Sequence, residues 1–338
     1  MRQHKESLVR KIGVPIGYII IFIGLAGIIM VFTFSKPEKA IPKEIVKNTN
    51  TMITGVTLPE KVDFAGEPVP VDYFDVREGL EREMLINSYW QSQTLMLLKR
   101  STRYFVQIEP ILKRNNIPDD FKYLALAESG FVNVTSPAGA VGFWQFMSDA
   151  AKDYGLENNK EVDERYNLEK STEAACKFFR DSYKVYKTWT MAAASYNMGR
   201  CALNAQIERQ HTKDYYDILL NEETARYVYR SVAIKLILMD PQKYGFDLSK
   251  EDYYQPIPCS DIKVNQPIGN LALFAIDKGT NYKMLKLLNP WLRENYLTNP
   301  AGKTYYIKIP SAGYRKVDKE LKKEEVDKIM SQSEQLVQ

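Results

Sequence analysis

Histidine is almost absent from this chain: only His4 and His211 occur, which excludes a histidine-based catalytic triad and a multi-histidine metal site. Cysteine is scarce as well. Cys176, Cys201 and Cys259 show no Cys-x-x-Cys spacing, so a thiolate metal cluster is not expected, and neither a metal nor another cofactor is called for. An excess of one charge is also missing. With 46 Lys and Arg against 42 Asp and Glu, the net charge of +4 is mild and both signs are mixed, which argues against a nucleic-acid partner. No internal repeat is found. What remains is a chain of 338 residues, 45% hydrophobic, with room for two domains and a sizeable core.

One long apolar run stands out. Residues 14–34 carry no charge and, at about 1.5 Å per helical residue, reach across a hydrocarbon core of roughly 30 Å. Arg2, Lys5, Arg10 and Lys11 precede it, so the expectation is a single-pass inner-membrane anchor with residues 1–13 cytoplasmic and the rest outside. A cleaved signal peptide is the rival, but the run exceeds a usual signal core and no Ala-x-Ala site follows. Residues 35–74 are rich in Lys, Glu and Pro and read as a linker.

From about 75 to 116, Met84, Leu85, Tyr89, Leu95, Leu98, Phe105, Ile108, Ile111 and Leu112 recur at helical spacing and predict one or two long amphipathic helices. Tyr89, Trp90, Tyr104 and Phe105 are expected in their core. Further on, Ser148 is expected to cap a short helix, Asn167 a longer one to Tyr186, and Thr190 a third that stops at Gly199. Additional helices are predicted at 202–209, 214–220 and 222–239, the last halted by Pro241. The fold class is therefore mainly α.

Within this helical frame, residues 121–147 carry the chemistry. An apolar run, Tyr123-Leu124-Ala125-Leu126-Ala127, ends on a lone carboxylate, Glu128, with Pro118 reading as the helix start and Gly130 as its stop. In the last turn the helix dipole opposes a negative charge, and apolar neighbours that exclude water raise the carboxyl pKa. A proton held near neutral pH is what a general acid requires. A Gly-rich loop follows, Ser136-Pro137-Ala138-Gly139-Ala140-Val141-Gly142-Phe143-Trp144-Gln145-Phe146-Met147. Glycine allows close backbone approach to a ligand, and an aromatic beside an amide suits a sugar. The plain alternatives are a solvated Glu128 and a loop that packs Trp144 into the core.

These motifs, with Ser195-Tyr196-Asn197 and Glu223-Thr224-Ala225-Arg226-Tyr227-Val228 after them, resemble the lytic transglycosylases with a soluble-lytic-transglycosylase-type catalytic domain. The resemblance runs from about residue 58 to 310. It implies a lysozyme-like helical fold (α+β superfamily) over 75–250, with residues 58–72 as an extended strap on it. It also implies Glu128 as the catalytic acid and base, Tyr227 as its hydrogen-bond partner, and Ser136, Gln145, Met147, Tyr196 and Asn197 around the sugar. Ser195 stands where the family usually has Ala, and no cysteine near 14–34 is available for the family's usual lipid anchor.

Residues 255–312 read as strand, two short helices and strand, an order that resembles a divergent LysM module. The usual LysM ligand is the N-acetylglucosamine-containing glycan of peptidoglycan or chitin. Its opening Val-x-x-Gly-Asp is missing here and 291–302 is lengthened. A charged tail, 313–338, ends the chain.

The substrate implied is the glycan strand of peptidoglycan, and cell-wall enzyme complexes are possible partners. Sugar cleavage usually takes two carboxylates, yet no Asp or Glu lies between Glu128 and Asp149, and Asp149, Glu157 and Asp163 read as helix faces or turns. The family answer is one carboxylate assisted by the substrate's 2-acetamido group, giving 1,6-anhydro-N-acetylmuramic acid ends without water. A lysozyme-like or chitinase-like hydrolase and a non-catalytic wall-binding anchor are the competing readings. An exported compartment would permit a Cys176–Cys201 disulfide, whose proximity spacing does not establish.

Overall fold

The structure, a computed structural model, describes residues 54–315. The expected membrane helix at 14–34, the residues before it, the linker as far as 53 and all but the first residues of the tail lie outside the described residues. Among the described residues no helix is long and apolar enough to cross a membrane.

Amphipathic spacing produces two helices, α1 (Phe74–Tyr89) and α2 (Gln91–Arg114), which bury Val76, Leu80 and Met84 and then Leu97, Leu98, Ile108, Ile111 and Leu112. Tyr104 and Phe105 pack against the same core, but Tyr89 and Trp90 do not: they are 40% and 62% exposed. The backbone turns at Trp90 (φ −84°, ψ 59°), and that corner carries both rings outward.

Helix α3 (Phe121–Ser129) starts later than Pro118 suggests. Residues 118–120 form a turn in which the Pro118 and Asp119 carbonyls accept from Phe121 and Lys122 N–H. The helical unit is completed by α4 (Ser148–Asp153), α5 (Leu168–Tyr186), α6 (Trp189–Met198), α7 (Arg200–Gln210), α8 (Glu222–Ala225) and α9 (Tyr227–Met239). Asn167 caps α5 as expected, its side chain accepting from Lys170 N–H at 3.0 Å. Ser148 and Thr190 do not cap, because each already lies inside its helix. The first N–H groups of α6, from Trp189 and Thr190, are instead taken by the carboxylate of Glu67.

Glu67 belongs to the strap. Strands β1 (Asp63–Phe64) and β2 (Glu67–Pro68) form a small antiparallel hairpin, and Leu58, Val62, Phe64, Val69 and Val71 are buried in the helical core. Phe64 lies 5.5 Å from Phe121, and Ala65 N–H donates to Asp120 at 2.7 Å. Lys235 of α9 bridges Asp63 and Asp120.

Two further expectations are corrected. Residues 214–220 make a single turn rather than a helix: the Asp214 carboxylate accepts from Tyr216 N–H at 2.8 Å, and the Gln210 amide bonds both N–H and carbonyl of Leu219. The helix expected over 222–239 breaks at Arg226. There the Tyr215 hydroxyl, 2.8 Å from the Thr224 and Ala225 carbonyl oxygens, also accepts from Val228 N–H and so occupies the ladder itself. Nor is there a disulfide: Cys176 is a buried thiol and Cys201 an exposed one.

The C-terminal unit has its own small core. Strands β3 (Cys259–Val264) and β4 (Tyr305–Pro310) pair antiparallel, from Cys259 opposite Pro310 to Val264 opposite Tyr305, with α10 (Leu271–Asp277) and α11 (Tyr282–Leu288) between them. Leu271, Ala275, Leu285, Leu292 and Ile307 fill it, together with Val162 from the helical unit. Around Val162 the two units share backbone bonds, Asp163 N–H to Trp291 O and Arg293 N–H to Glu161 O.

Candidate active site

Helix α3 is buried along Phe121 to Leu126 and ends where Gly130 adopts φ +57°, a left-handed conformation that suits glycine. Glu128 lies in that last turn. Ser129 fastens the helix end to the following loop, its hydroxyl donating to the Phe143 carbonyl at 3.0 Å.

Opposite stands the first turn of α9, from which the Tyr227 hydroxyl donates to Glu128 Oε1. Tyr227 is 2% exposed and the Glu128 that its phenol meets is half-buried. Burial pushes the Glu128 carboxyl up to about 7 from the ordinary 4.5, and nearby Glu223 adds to the rise. The Tyr227 hydrogen bond and the Arg230 charge oppose it. Burial and the Glu128 charge hold the phenols of Tyr227 and Tyr196 well above the usual range, so both remain hydrogen-bond donors.

The Gly-rich loop is folded on itself by its own polar atoms. Ser136 Oγ accepts from Ala140 N–H at 3.0 Å, and Gln145, at φ +50°, donates from Nε2 to the Gly142 carbonyl at 2.7 Å. At Gly142 (φ +80°) a Cβ would lie 2.0 Å from the Arg165 carbonyl oxygen, so only glycine fits that crossing. Trp144 is fully buried, its indole N–H donating to Thr172 Oγ1 at 2.8 Å, and it is a core residue rather than a sugar platform. Met147, by contrast, is 47% exposed.

Helix α6 brings in the other pair. The Tyr196 hydroxyl donates to the Trp144 carbonyl at 2.6 Å, and its ring packs among Phe146, Phe178 and Phe179, so it braces the loop from behind. Asn197 accepts from the Thr224 hydroxyl at 2.7 Å and donates to Glu223 at 3.3 Å, linking α6 to α8. Glu128 and Tyr227 are in direct contact, Tyr196 is near enough to feel the Glu128 charge, Asn197 is tied to Glu223 and Thr224, and Ser136 and Gln145 shape the loop.

Two residues near the acid escaped the sequence reading, Glu223 and Arg230. Each carried a signal: Glu223 opens the motif that contains Tyr227, and Arg230 is one of two cations in a mostly apolar helix. The other carboxylates considered lie elsewhere. Asp149 is exposed, Glu157 accepts from Tyr305, and Asp163 is paired with Arg165 at 2.8 Å. Among the described residues no three His, Cys, Asp or Glu side chains gather to hold a metal ion.

Comparison with known proteins bears on both units. Residues 106–219 match the family model of the transglycosylase SLT domain, and residues 260–313 match that of the soluble lytic transglycosylase C-terminal LysM-like domain. The chain is similar to the membrane-bound lytic murein transglycosylase D of Escherichia coli strain K12, 27% identical over 241 residues that cover 70% of this chain and 51% of that protein. The protein of the same name from Escherichia coli O6:H1 strain CFT073 matches to the same extent. The chain thus spans about half the length of the curated relatives it matches. From the helical unit that holds Glu128 to the βααβ unit behind it, this chain carries a transglycosylase SLT domain followed by a LysM-like domain.

Proposed function

We propose that this protein is a peptidoglycan lytic transglycosylase, cleaving the β-1,4 bond from N-acetylmuramic acid to N-acetylglucosamine. The observation that carries this reading is the Glu128 carboxyl, half-buried at the end of α3, raised by burial to about 7 and held by the Tyr227 hydroxyl. The matched SLT domain and the name of the relatives support the same substrate.

In this mechanism protonated Glu128 gives its proton to the glycosidic oxygen, and the bond from that oxygen to C1 breaks. N-acetylglucosamine leaves with a free hydroxyl. The substrate's 2-acetamido oxygen stabilises the positive C1, and the Glu128 carboxylate then takes the proton of the 6-hydroxyl as that oxygen bonds C1. Glu128 ends protonated, a 1,6-anhydro sugar forms, and no water is consumed. Tyr227 orients Glu128. Ser136, Gln145 and Asn197 hold the sugar and its acetamido group, Tyr196 keeps the loop in place through Trp144, and Met147 packs below the ring.

The LysM-like unit is proposed to contact glycan, and residues 14–34 to anchor the chain in the inner membrane with both units outside, a reading that the relatives' description as membrane-bound supports. A hydrolase is the second reading. It is favoured by Glu223, a second carboxylate whose charge raises the Glu128 pKa, since hydrolysis usually takes a carboxylate pair.

Digestion of purified peptidoglycan followed by mass analysis of the soluble fragments tests both. Transglycosylase ends are lighter by one water than reducing ends; reducing ends of full mass would replace this reading with hydrolysis. Glu128→Gln is expected to lower turnover by about 10²–10⁴-fold with the fold intact. Full activity in that variant would remove the assignment of Glu128.

A further inference from the structure

Arg230, itself half-buried, lies one helical turn beyond Tyr227 on α9. Its guanidinium carbon sits 6.0 Å from the centre of the Tyr227 ring, over its face, and its Nε is buried with no hydrogen-bond partner. Arg226, one turn earlier, is paired with Glu83 and Glu222, whereas Arg230 enters no ion pair among the described residues. Arg230 is half-buried, and its buried Nε has the Tyr227 ring face beside it but no acceptor. When Glu128 loses its proton, a carboxylate stands at the hydroxyl of the same phenol.

We propose that Arg230 is a positioning residue for the acid: lying over the Tyr227 ring, it is the counter-charge set in place beforehand for the Glu128 carboxylate that forms when the proton leaves. The inference rests on Glu128 being the proton donor. Charge placed in advance where charge develops needs no reorganisation during the step, and in a water-poor cleft it is weakly screened. Other groups around Glu128 do not take this role. Glu223 on α8 repels the new carboxylate and hydrogen-bonds Asn197, Tyr196 on α6 is neutral and bonded to Trp144, Tyr227 is neutral, and Arg100 on α2 is engaged by the Gly130 carbonyl. Arg230 and Glu223 therefore pull the acid in opposite directions.

The first test needs no substrate. The Glu128 carboxyl is followed by carbon NMR in glutamate-labelled full-length protein, assigned by its loss in Glu128→Gln, and titrated in wild type, Arg230→Gln and Arg230→Lys. The midpoint is expected to rise by about 0.5–1 pH unit in Arg230→Gln and to stay near wild type in Arg230→Lys. An unmoved midpoint in Arg230→Gln overturns the proposal. Should that variant not fold, Arg230→Met, which keeps the apolar stem, must give the same rise.

The second test is turnover against pH. Arg230→Gln is expected to lower kcat by about 10–100-fold with KM little changed, to move the alkaline limb upward, and to be largely rescued by Arg230→Lys. A lower kcat with the limb unmoved, or an equal loss in both variants, makes Arg230 merely structural. Failure of the Glu128 assignment looks different: Glu128→Gln would stay active while the titration shift persisted.

Discussion

The cleft between α3 and α9 and the junction between the two units both gather charged side chains, and they treat those charges in opposite ways. At the junction the charges are matched. Asp163 takes Arg165 through two hydrogen bonds, Glu161 accepts from both N–H and hydroxyl of Thr298, Glu157 accepts from Tyr305 and meets Lys303, and Lys308 sits between Glu169 and Asp261. In the cleft Glu128 has one phenol, and Arg230 has a ring face and no carboxylate. Matched charges hold two bodies in register and resist change. Undermatched ones leave a proton free to move, which is what distinguishes the cleft as the place for chemistry.

If that contrast is right, changes at the two places will differ in sign as well as size. The largest effect is expected where loop and junction meet, at Gly142→Ala. Its new Cβ would strike the Arg165 backbone at a positive φ, and neither side can give way cheaply, so a loss on the order of 3–5 kcal/mol and of turnover is expected in denaturant unfolding and activity assays.

Next comes a gain, in Glu128→Gln. The folded carboxyl titrates near 7 and the unfolded one near 4.5, so the folded state holds the proton more tightly. The penalty for ionising it in the fold is absent below about pH 4.5, grows as the pH rises, and is complete above about 7, where it reaches about 3 kcal/mol. Thermal unfolding is expected to find Glu128→Gln more stable than wild type at pH 8, with the difference vanishing at pH 4. A variant no more stable at pH 8 would mean that the cleft is not undermatched.

The smallest effect is expected at the junction. Tyr305→Phe removes the hydrogen bond to Glu157 but leaves Lys303, so about 1 kcal/mol is lost, with turnover on short glycans unchanged. A large loss of turnover there would mean that the junction takes part in the reaction.

Some of this could be read along the chain and some could not. The end of α3 was legible, because an apolar run stopped by a carboxylate and a glycine is a local pattern, and the cap at Asn167 was legible for the same reason. The contact of Glu128 with Tyr227 was not, since 99 residues separate them; only resemblance pointed to it. Tyr215 explains two failures together. A phenol inserted beside Thr224, Ala225 and Val228 splits one expected helix, and the turn that carries Tyr215 replaces another. Glu67 supplied the cap assigned to Thr190 from more than a hundred residues away, and Tyr89 and Trp90 face solvent because a bend outweighed a periodicity. Glu223 and Arg230 were visible as residues but not as neighbours of the acid.

The amino-acid sequence by itself determined the helical class, the C-terminal end of α3, the βααβ order of the C-terminal unit and the presence of one carboxylate in apolar company, because each follows from spacing within a few turns of chain. Only the tertiary structure decided that this carboxylate is half-buried against the Tyr227 hydroxyl, that Arg230 lies over the Tyr227 ring, that Tyr196 braces the loop from behind and that Val162 completes the second core. Water exclusion and charge proximity depend on surfaces meeting from distant parts of the chain, and the proton affinity of a carboxyl is set by what surrounds it in space.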